Sequence, residues 1–174
     1  MKKSEIPTEV LKYELRKMQI KLAEESRSTF LTFVKKVWPE FIAGSHHKII
    51  AKKFEDISRG KIKRLIVNMP PRHTKSEFAS HLFPAWMLGQ KPKLKIIQTT
   101  HTAELSYNFG RKVRNLFDQQ EFKDVYPTVS LSQDSKAAGR FTTHAGGEYF
   151  AAGVGGAITG RGADLLIIDD PHSE

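Results

Sequence analysis

Arg64-Leu65-Ile66-Val67-Asn68-Met69-Pro70-Pro71-Arg72-His73-Thr74-Lys75-Ser76 joins a short apolar run, a double proline and a Lys-Ser pair. The apolar part has the composition of a buried parallel strand. Pro70-Pro71 stops it, and the pattern beyond predicts a helix from Lys75 to Leu88. Strand, tight loop and helix start form a frame for phosphate. Backbone N–H groups converge at the helix N-terminus, where the dipole favours an anion. Lys75 is placed to reach β- and γ-phosphates, and the Ser76 hydroxyl is placed to ligate Mg²⁺. Pro71, Arg72, His73, Thr74, Lys75 and Ser76 are therefore the expected nucleotide-binding residues. The loop departs from the standard pattern, because Met69 and Thr74 stand where glycine is usual. Thr74 is β-branched and disfavours positive φ. Taken alone, the stretch also reads as a proline-stopped strand with a lysine at a helix start.

A second stretch completes the reading. Leu165-Leu166-Ile167-Ile168-Asp169-Asp170 is an apolar strand delivering two carboxylates at its C-terminal end. Open α/β sheets bind ligands at that end. Asp169 is expected to hold Mg²⁺, directly or through water, and Asp170 to orient or deprotonate the attacking water. Most such sites carry Glu at the second position. Asp is one methylene shorter, which keeps Glu174 as an alternative carboxylate.

Between these stretches, Leu94 to Thr99 predicts a strand and Ala103 to Gln119 a helix, with Thr102 as its cap. Arg140 to His144 and Glu148 to Ala152 predict a hairpin around Ala145-Gly146-Gly147. Gly153 to Gly162 is a glycine-rich loop, and residues 121–138 carry no clear pattern. Upstream, helices are expected over residues 8–25, from Ser28-Thr29 to Trp38, and from His47 to Ser58 with Gly60 closing the last. The expected architecture is an α/β fold with a mostly parallel sheet flanked by helices. An N-terminal helical segment (1–60) packs on a core spanning 61–174.

Composition sets bounds. The chain has 174 residues, 39% hydrophobic, with no cysteine, so disulfides and thiolate metal sites are excluded. No apolar run approaches the roughly 20 residues that cross a bilayer, and no secretory h-region follows the Met-Lys-Lys start. Net charge is +9. Residues 1–64 hold 16 Lys and Arg against 8 Asp and Glu, a net of +8. A basic first third suits a polyanion such as nucleic acid, and equally a solvated lysine-rich helix surface.

Three stretches carry a family likeness. Asn68-Met-Pro-Pro-Arg-His-Thr-Lys-Ser-Glu77 is similar to the divergent Walker A loop of phage large terminase subunits. Ile96-Ile-Gln-Thr-Thr-His-Thr-Ala-Glu-Leu-Ser-Tyr-Asn-Phe-Gly-Arg-Lys-Val-Arg-Asn-Leu-Phe117 resembles their strand and helix after it. Gly153-Val-Gly-Gly-Ala-Ile-Thr-Gly-Arg-Gly-Ala-Asp-Leu-Leu-Ile-Ile-Asp-Asp-Pro-His172 resembles the segment leading into their Walker B strand. The likeness covers most of residues 64–174 and is weaker upstream. It implies a RecA-like, additional-strand P-loop ATPase, using ATP and Mg²⁺, that moves double-stranded DNA into a procapsid in the host cytoplasm. It also implies a portal protein and a small terminase subunit as partners, and a homo-oligomeric ring without membrane association.

The resemblance assigns further roles. Arg72 matches an arginine that senses the γ-phosphate, and its planar guanidinium suits bidentate phosphate contact. Arg161 matches an arginine that enters the neighbouring subunit's site, with Arg140 as its competitor. The family continues into a coupling motif and an RNase H-like nuclease domain. The chain stops four residues after Asp170, so nuclease activity is not expected. A strand between the two motif strands is also expected to be missing. Such a gap exposes unpaired backbone, so the isolated chain is expected to fold poorly or self-associate.

Other residues stay open at this level. Thr99, Thr100 and His101 end a strand near the expected site, as candidates for DNA contact, nucleotide relay or helix capping. Phe33, Trp38 and Phe41 are candidates to stack near adenine or to fill the core. His46 and His47 are adjacent, a spacing that argues against a zinc site. Two rival readings remain: a superfamily 2-type helicase or DNA-remodelling ATPase, and a catalytically silent nucleotide- or DNA-binding module.

Overall fold

The computed structural model describes residues 7–156 and 158–172, without the side chains of residues 134–136. Glu174 lies outside the described residues.

Three helices open the chain: α1 (Thr8–Ser28), α2 (Phe30–Val37) and α3 (Ser45–Ser58). After the loop at residues 70–74 come a π-helical stretch (Glu77–Leu82) and α4 (Phe83–Gln90). Then follow β1 (Lys95–Thr100), α5 (Ala103–Leu116), α6 (Gln120–Val125), β2 (Leu131–Ala137), β3 (Arg140–Thr143), β4 (Glu148–Gly153) and β5 (Leu165–Asp169).

The strands form one sheet in the order β2-β3-β4-β1-β5. β1 pairs in parallel with both β4 and β5, while β2–β3 and β3–β4 are antiparallel. The sheet is thus mixed, not mostly parallel as expected. The 140–153 hairpin adds an antiparallel edge, and β2, too polar to announce itself, extends it.

The expected strand at Arg64–Met69 is not a ladder member. Leu65, Val67 and Met69 are half-buried against the core, whereas Ile66 is 86% exposed. The segment has the period-2 alternation of an extended chain without a strand beside it. β5, at the sheet edge, is its nearest counterpart in composition. Apolar composition marks extended backbone, but pairing needs a neighbour that the local sequence does not specify.

One face of the sheet carries Ile96, Gln98 and Thr100, in register with Tyr149, Ala151 and Gly153 on β4 and with Leu165, Ile167 and Asp169 on β5. The core lies on this face, where α5 and the π-helical stretch pack. Gly153 permits the close approach of β4 to α5. A Cβ there would sit 2.5 Å from Ala103 N. Thr102 caps α5 by accepting from Leu105 N–H, as expected.

α2 and α3 belong to the same core. Phe30 is fully buried, with ring centroids 5.3 Å from Phe54, 5.5 Å from Phe78 and 5.3 Å from Trp86. Its backbone N–H, an orphan at the start of α2, donates to Glu55 Oε1 at 3.1 Å. Phe33 and Phe41 are also buried in this core, so of the two possibilities for these rings, packing is the one observed. Among the described residues no helix is long and apolar enough to cross a membrane.

Candidate functional site

Lys75 opens the helix that runs through the π-helical stretch into α4. The π geometry has a local cause. Pro84 has no N–H to give, and the preceding Phe83 N–H donates to Phe78 O, five residues back. At the start of the helix, Thr74 O accepts from Phe78 N–H at 2.9 Å.

From that position Lys75 Nζ meets the end of β5. It lies 2.5 Å from Asp170 Oδ1 and 3.9 Å from Asp169 Oδ1. Asp169 is buried, and Ser80 Oγ donates to its Oδ2 at 2.8 Å. Ser80 follows Lys75 on the same helix, so one helix supplies both groups that hold the carboxylates. Sequence reading missed Ser80. Its spacing gave no signal, because five residues of regular α-helix turn about 140° away from Lys75; the π-helical stretch, with more residues per turn, draws the two toward one side. Asp170 has φ 42°, and its carbonyl accepts from His101 N–H at 3.1 Å, tying the end of β1 to the site.

Met69, Pro70, Pro71, Arg72, Thr74, Lys75, Ser76 and Asp170 line one cleft of about 720 Å³. That volume is in the range of small-molecule sites. Every expected nucleotide residue except His73 lines it. The His73 ring folds back onto the loop, with Nδ1 2.8 Å from Pro71 O.

Arg72 and Thr74 both have φ 63°. Thr74 therefore adopts the conformation that its β-branch disfavours, against the expectation from sequence. Its hydroxyl explains how the loop is held. His47 Nδ1 accepts from Gly44 N–H at 2.8 Å, which leaves Nε2 protonated. Nε2 then donates to Thr74 Oγ1 at 2.7 Å, and the Thr74 hydroxyl donates to His73 O at 2.6 Å. Phe41 packs edge-on against His47 with centroids 4.8 Å apart. Burial lowers the His47 pKa below the usual imidazole value, and the neighbouring His46 and His73 add to the effect. The neutral ring that this chain of bonds needs is thereby favoured. His47 is the second residue that sequence reading left without this role, since a contact across 27 positions has no local signature.

Glu77, beside Ser76, bonds His81 Nδ1 at 2.8 Å and also pairs with Lys112 of α5. The His81 bond is the main reason its pKa falls to about 2, with Lys112 assisting against partial burial.

Arg161 and Arg140 lie elsewhere. Arg161 Nη1 is 3.2 Å from Glu148 Oε1 and its guanidinium covers the Phe150 ring at 4.0 Å. Arg140 Nε is 2.6 Å from the same Glu148 oxygen. Glu148 pairs with Lys95 at the start of β1, the opposite end from Thr100 and Asp169. Neither arginine is brought to the Lys75 cleft of its own chain. Thr100 Oγ1 turns inward to Ser106 Oγ at 2.8 Å, and its backbone N–H donates to the same oxygen. Its side chain serves the β1–α5 junction.

The donor set suits a nucleotide with Mg²⁺. Lys75 and Arg72 supply cationic charge for phosphates, and Ser76, Asp169 and Asp170 supply hard oxygen ligands. Among the described residues no three His, Asp or Glu side chains form a protein-only metal cage. An ion here would share its shell with phosphate oxygens and water. Comparison of the chain with protein-family models, curated proteins and solved structures gives no match.

Proposed function

We propose that this chain is the ATPase part of a large terminase subunit, a motor that hydrolyses ATP to move double-stranded DNA. The observation that carries the reading is the meeting of Lys75, at a helix start, with Asp169 and Asp170 at a strand end. Asp169 and Asp170 lie 94 and 95 positions from Lys75; Asp170 lines one cleft with Arg72, Thr74, Lys75 and Ser76, and Asp169 is buried behind it, 3.9 Å from Lys75 Nζ. The proposal extends to a P-loop fold of the RecA type, for which the site geometry and the sequence resemblance are the support.

In this reading Lys75 leaves Asp170 when a triphosphate arrives and binds its β- and γ-oxygens. The positive-φ turns at Arg72 and Thr74 shape the loop around the phosphates. Bound Mg²⁺ would neutralise charge on the phosphates. Ser76 and Asp169 would hold it, and Ser80 keeps Asp169 fixed in orientation. Asp170, released from Lys75, accepts a proton from water aligned with the γ-phosphate. Arg161 acts on a neighbouring subunit's site, which its distance from the local cleft permits. The basic N-terminal third contacts DNA phosphates, a sequence-independent and salt-sensitive contact.

The test is steady-state ATP turnover by the complete protein with and without duplex DNA. The reading expects DNA-stimulated hydrolysis that is abolished in both Lys75→Ala and Asp169→Ala. Undiminished turnover in both variants sinks the site assignment. Turnover unaffected by DNA sinks the motor.

A further inference from the structure

α1 is tethered to the body only near its C-terminal end. Ala23 and Ser26 are buried, Trp86 Nε1 donates to Ser26 O at 2.9 Å, and Arg27 Nε donates to Val125 O at 2.7 Å. Its first two-thirds, residues 8–22, are exposed throughout. An isolated helix of about 15 residues is marginal in water, so this stretch has little to hold it without a partner.

Leu11, Leu15, Met18 and Leu22 follow one another at intervals of four, three and four. They are 48, 58, 67 and 39% exposed. That spacing is the heptad seam of a coiled coil. At 100° per residue the seam points roughly a quarter-turn away from Ala23, Ser26 and Arg27. A second helix can therefore lie along it beside the body.

The flanking charges select the occupant and its direction. Glu14 and Lys21 border one side of the seam, and Lys12 and Gln19 border the other. If two copies of α1 run antiparallel, Leu11 packs on Leu22 and Leu15 on Met18 of the second copy. Glu14 then faces Lys21 of the second copy, and symmetry makes the pair twice. In a parallel pair Glu14 would face Gln19, and Lys21 would face the buried Ser26, with no ion pair formed. The charges on α1 are mixed, with Lys12, Arg16, Lys17, Lys21 and Arg27 against Glu9, Glu14, Glu24 and Glu25. That balance disfavours an anionic membrane surface and favours a like helix.

We infer that α1 is a dimerisation helix, pairing antiparallel with α1 of a second copy through Leu11, Leu15, Met18 and Leu22. The contact is isologous, closes at two, and is separate from the heterologous contact through which Arg161 would reach a neighbouring site. The experiment is sedimentation velocity of the full chain from about 1 to 100 μM, with circular dichroism on every variant. The wild type is expected to pass from monomer to dimer, and Leu15→Glu is expected to stay monomeric with the body folded. Glu14→Lys or Lys21→Glu alone puts like charges across the seam twice and is expected to weaken the dimer roughly tenfold. The double exchange restores it.

A wild type that is monomeric throughout overturns the proposal, whether or not it binds anionic phosphatidylserine vesicles. So does an association that Leu15→Glu leaves intact, which would place the contact elsewhere, as on the edge of β5. Single charge exchanges without effect, or a double exchange that fails to restore, overturn the antiparallel pairing. Unfolding of Leu15→Glu leaves the charge exchanges to decide, since Glu14 and Lys21 are exposed.

Discussion

Ser80 Oγ donates a 2.8 Å hydrogen bond to Asp169 Oδ2, with both residues buried. The carboxylate at the end of β5 is thus held by the same helix that presents Lys75. Removing the hydroxyl leaves a buried carboxylate oxygen short of a partner. Ser80→Ala is expected to cost about 1–3 kcal/mol of stability, read by urea unfolding. It is also expected to weaken Mg²⁺-dependent nucleotide binding more than nucleotide binding without metal. Equal losses in the two conditions would separate Ser80 from any metal held at Asp169.

The loop conformation gives a paired expectation at Thr74. Thr74→Val keeps the β-branch at φ 63° but loses the bonds to His47 and His73. It is expected to destabilise by about 1–3 kcal/mol. Thr74→Gly loses the same bonds but removes the backbone strain, so it is expected to be the milder change by about 1 kcal/mol. Thermal unfolding of the two variants side by side checks the order.

Arg72 has the same φ and an exposed position. Arg72→Gly is expected to raise stability by up to about 1 kcal/mol while weakening ATP binding. A variant that gains stability and keeps full affinity would remove Arg72 from the phosphate site.

His47 makes the loop sensitive to acid. Its pKa is lowered in the folded chain, chiefly by burial, from an ordinary value of 6.5. The unfolded chain therefore takes up a proton near 6.5, before the folded one does, so stability falls as pH drops below that value. His47→Phe keeps the packing against Phe41 and lacks this titration. The stability difference between wild type and His47→Phe is expected to shrink as pH falls from 7 into the acid range below 6.5. A constant difference across that range would show that protonation of His47 is not linked to folding.

Glu77 works in a lower window. Its pKa falls from 4.5 to about 2 in the folded state, chiefly through His81. Its contribution is present above 4.5 and is lost as pH falls toward 2. The side chain is about a third exposed, so solvent screening keeps that contribution near 1 kcal/mol. Glu77→Gln is expected to flatten the acid limb of the stability curve.

The sequence made some of this legible and hid the rest for identifiable reasons. β1, α5 with its Thr102 cap, the 140–153 hairpin and β5 each carry their own periodicity or turn chemistry. Lys75 and the Asp169-Asp170 pair were visible because each closes or opens an apolar element. What stayed hidden depends on distant partners. β2 reads Leu-Ser-Gln-Asp-Ser-Lys-Ala, without an apolar alternation. Arg64–Met69 looks like a strand but has no ladder. The Ser80–Asp169 and His47–Thr74 bonds join positions 89 and 27 residues apart, and only the assembled fold brings them together.

Lys75 and Asp169 are proposed to serve one metal-bound triphosphate. Equilibrium binding of labelled ATP to the folded chain, with and without Mg²⁺, tests it most directly. Binding is expected to depend on Mg²⁺, to disappear in Lys75→Ala and to lose its metal dependence in Asp169→Asn. A folded chain that retains no ATP in either condition, or a Lys75→Ala variant that binds as well as the wild type, would contradict it.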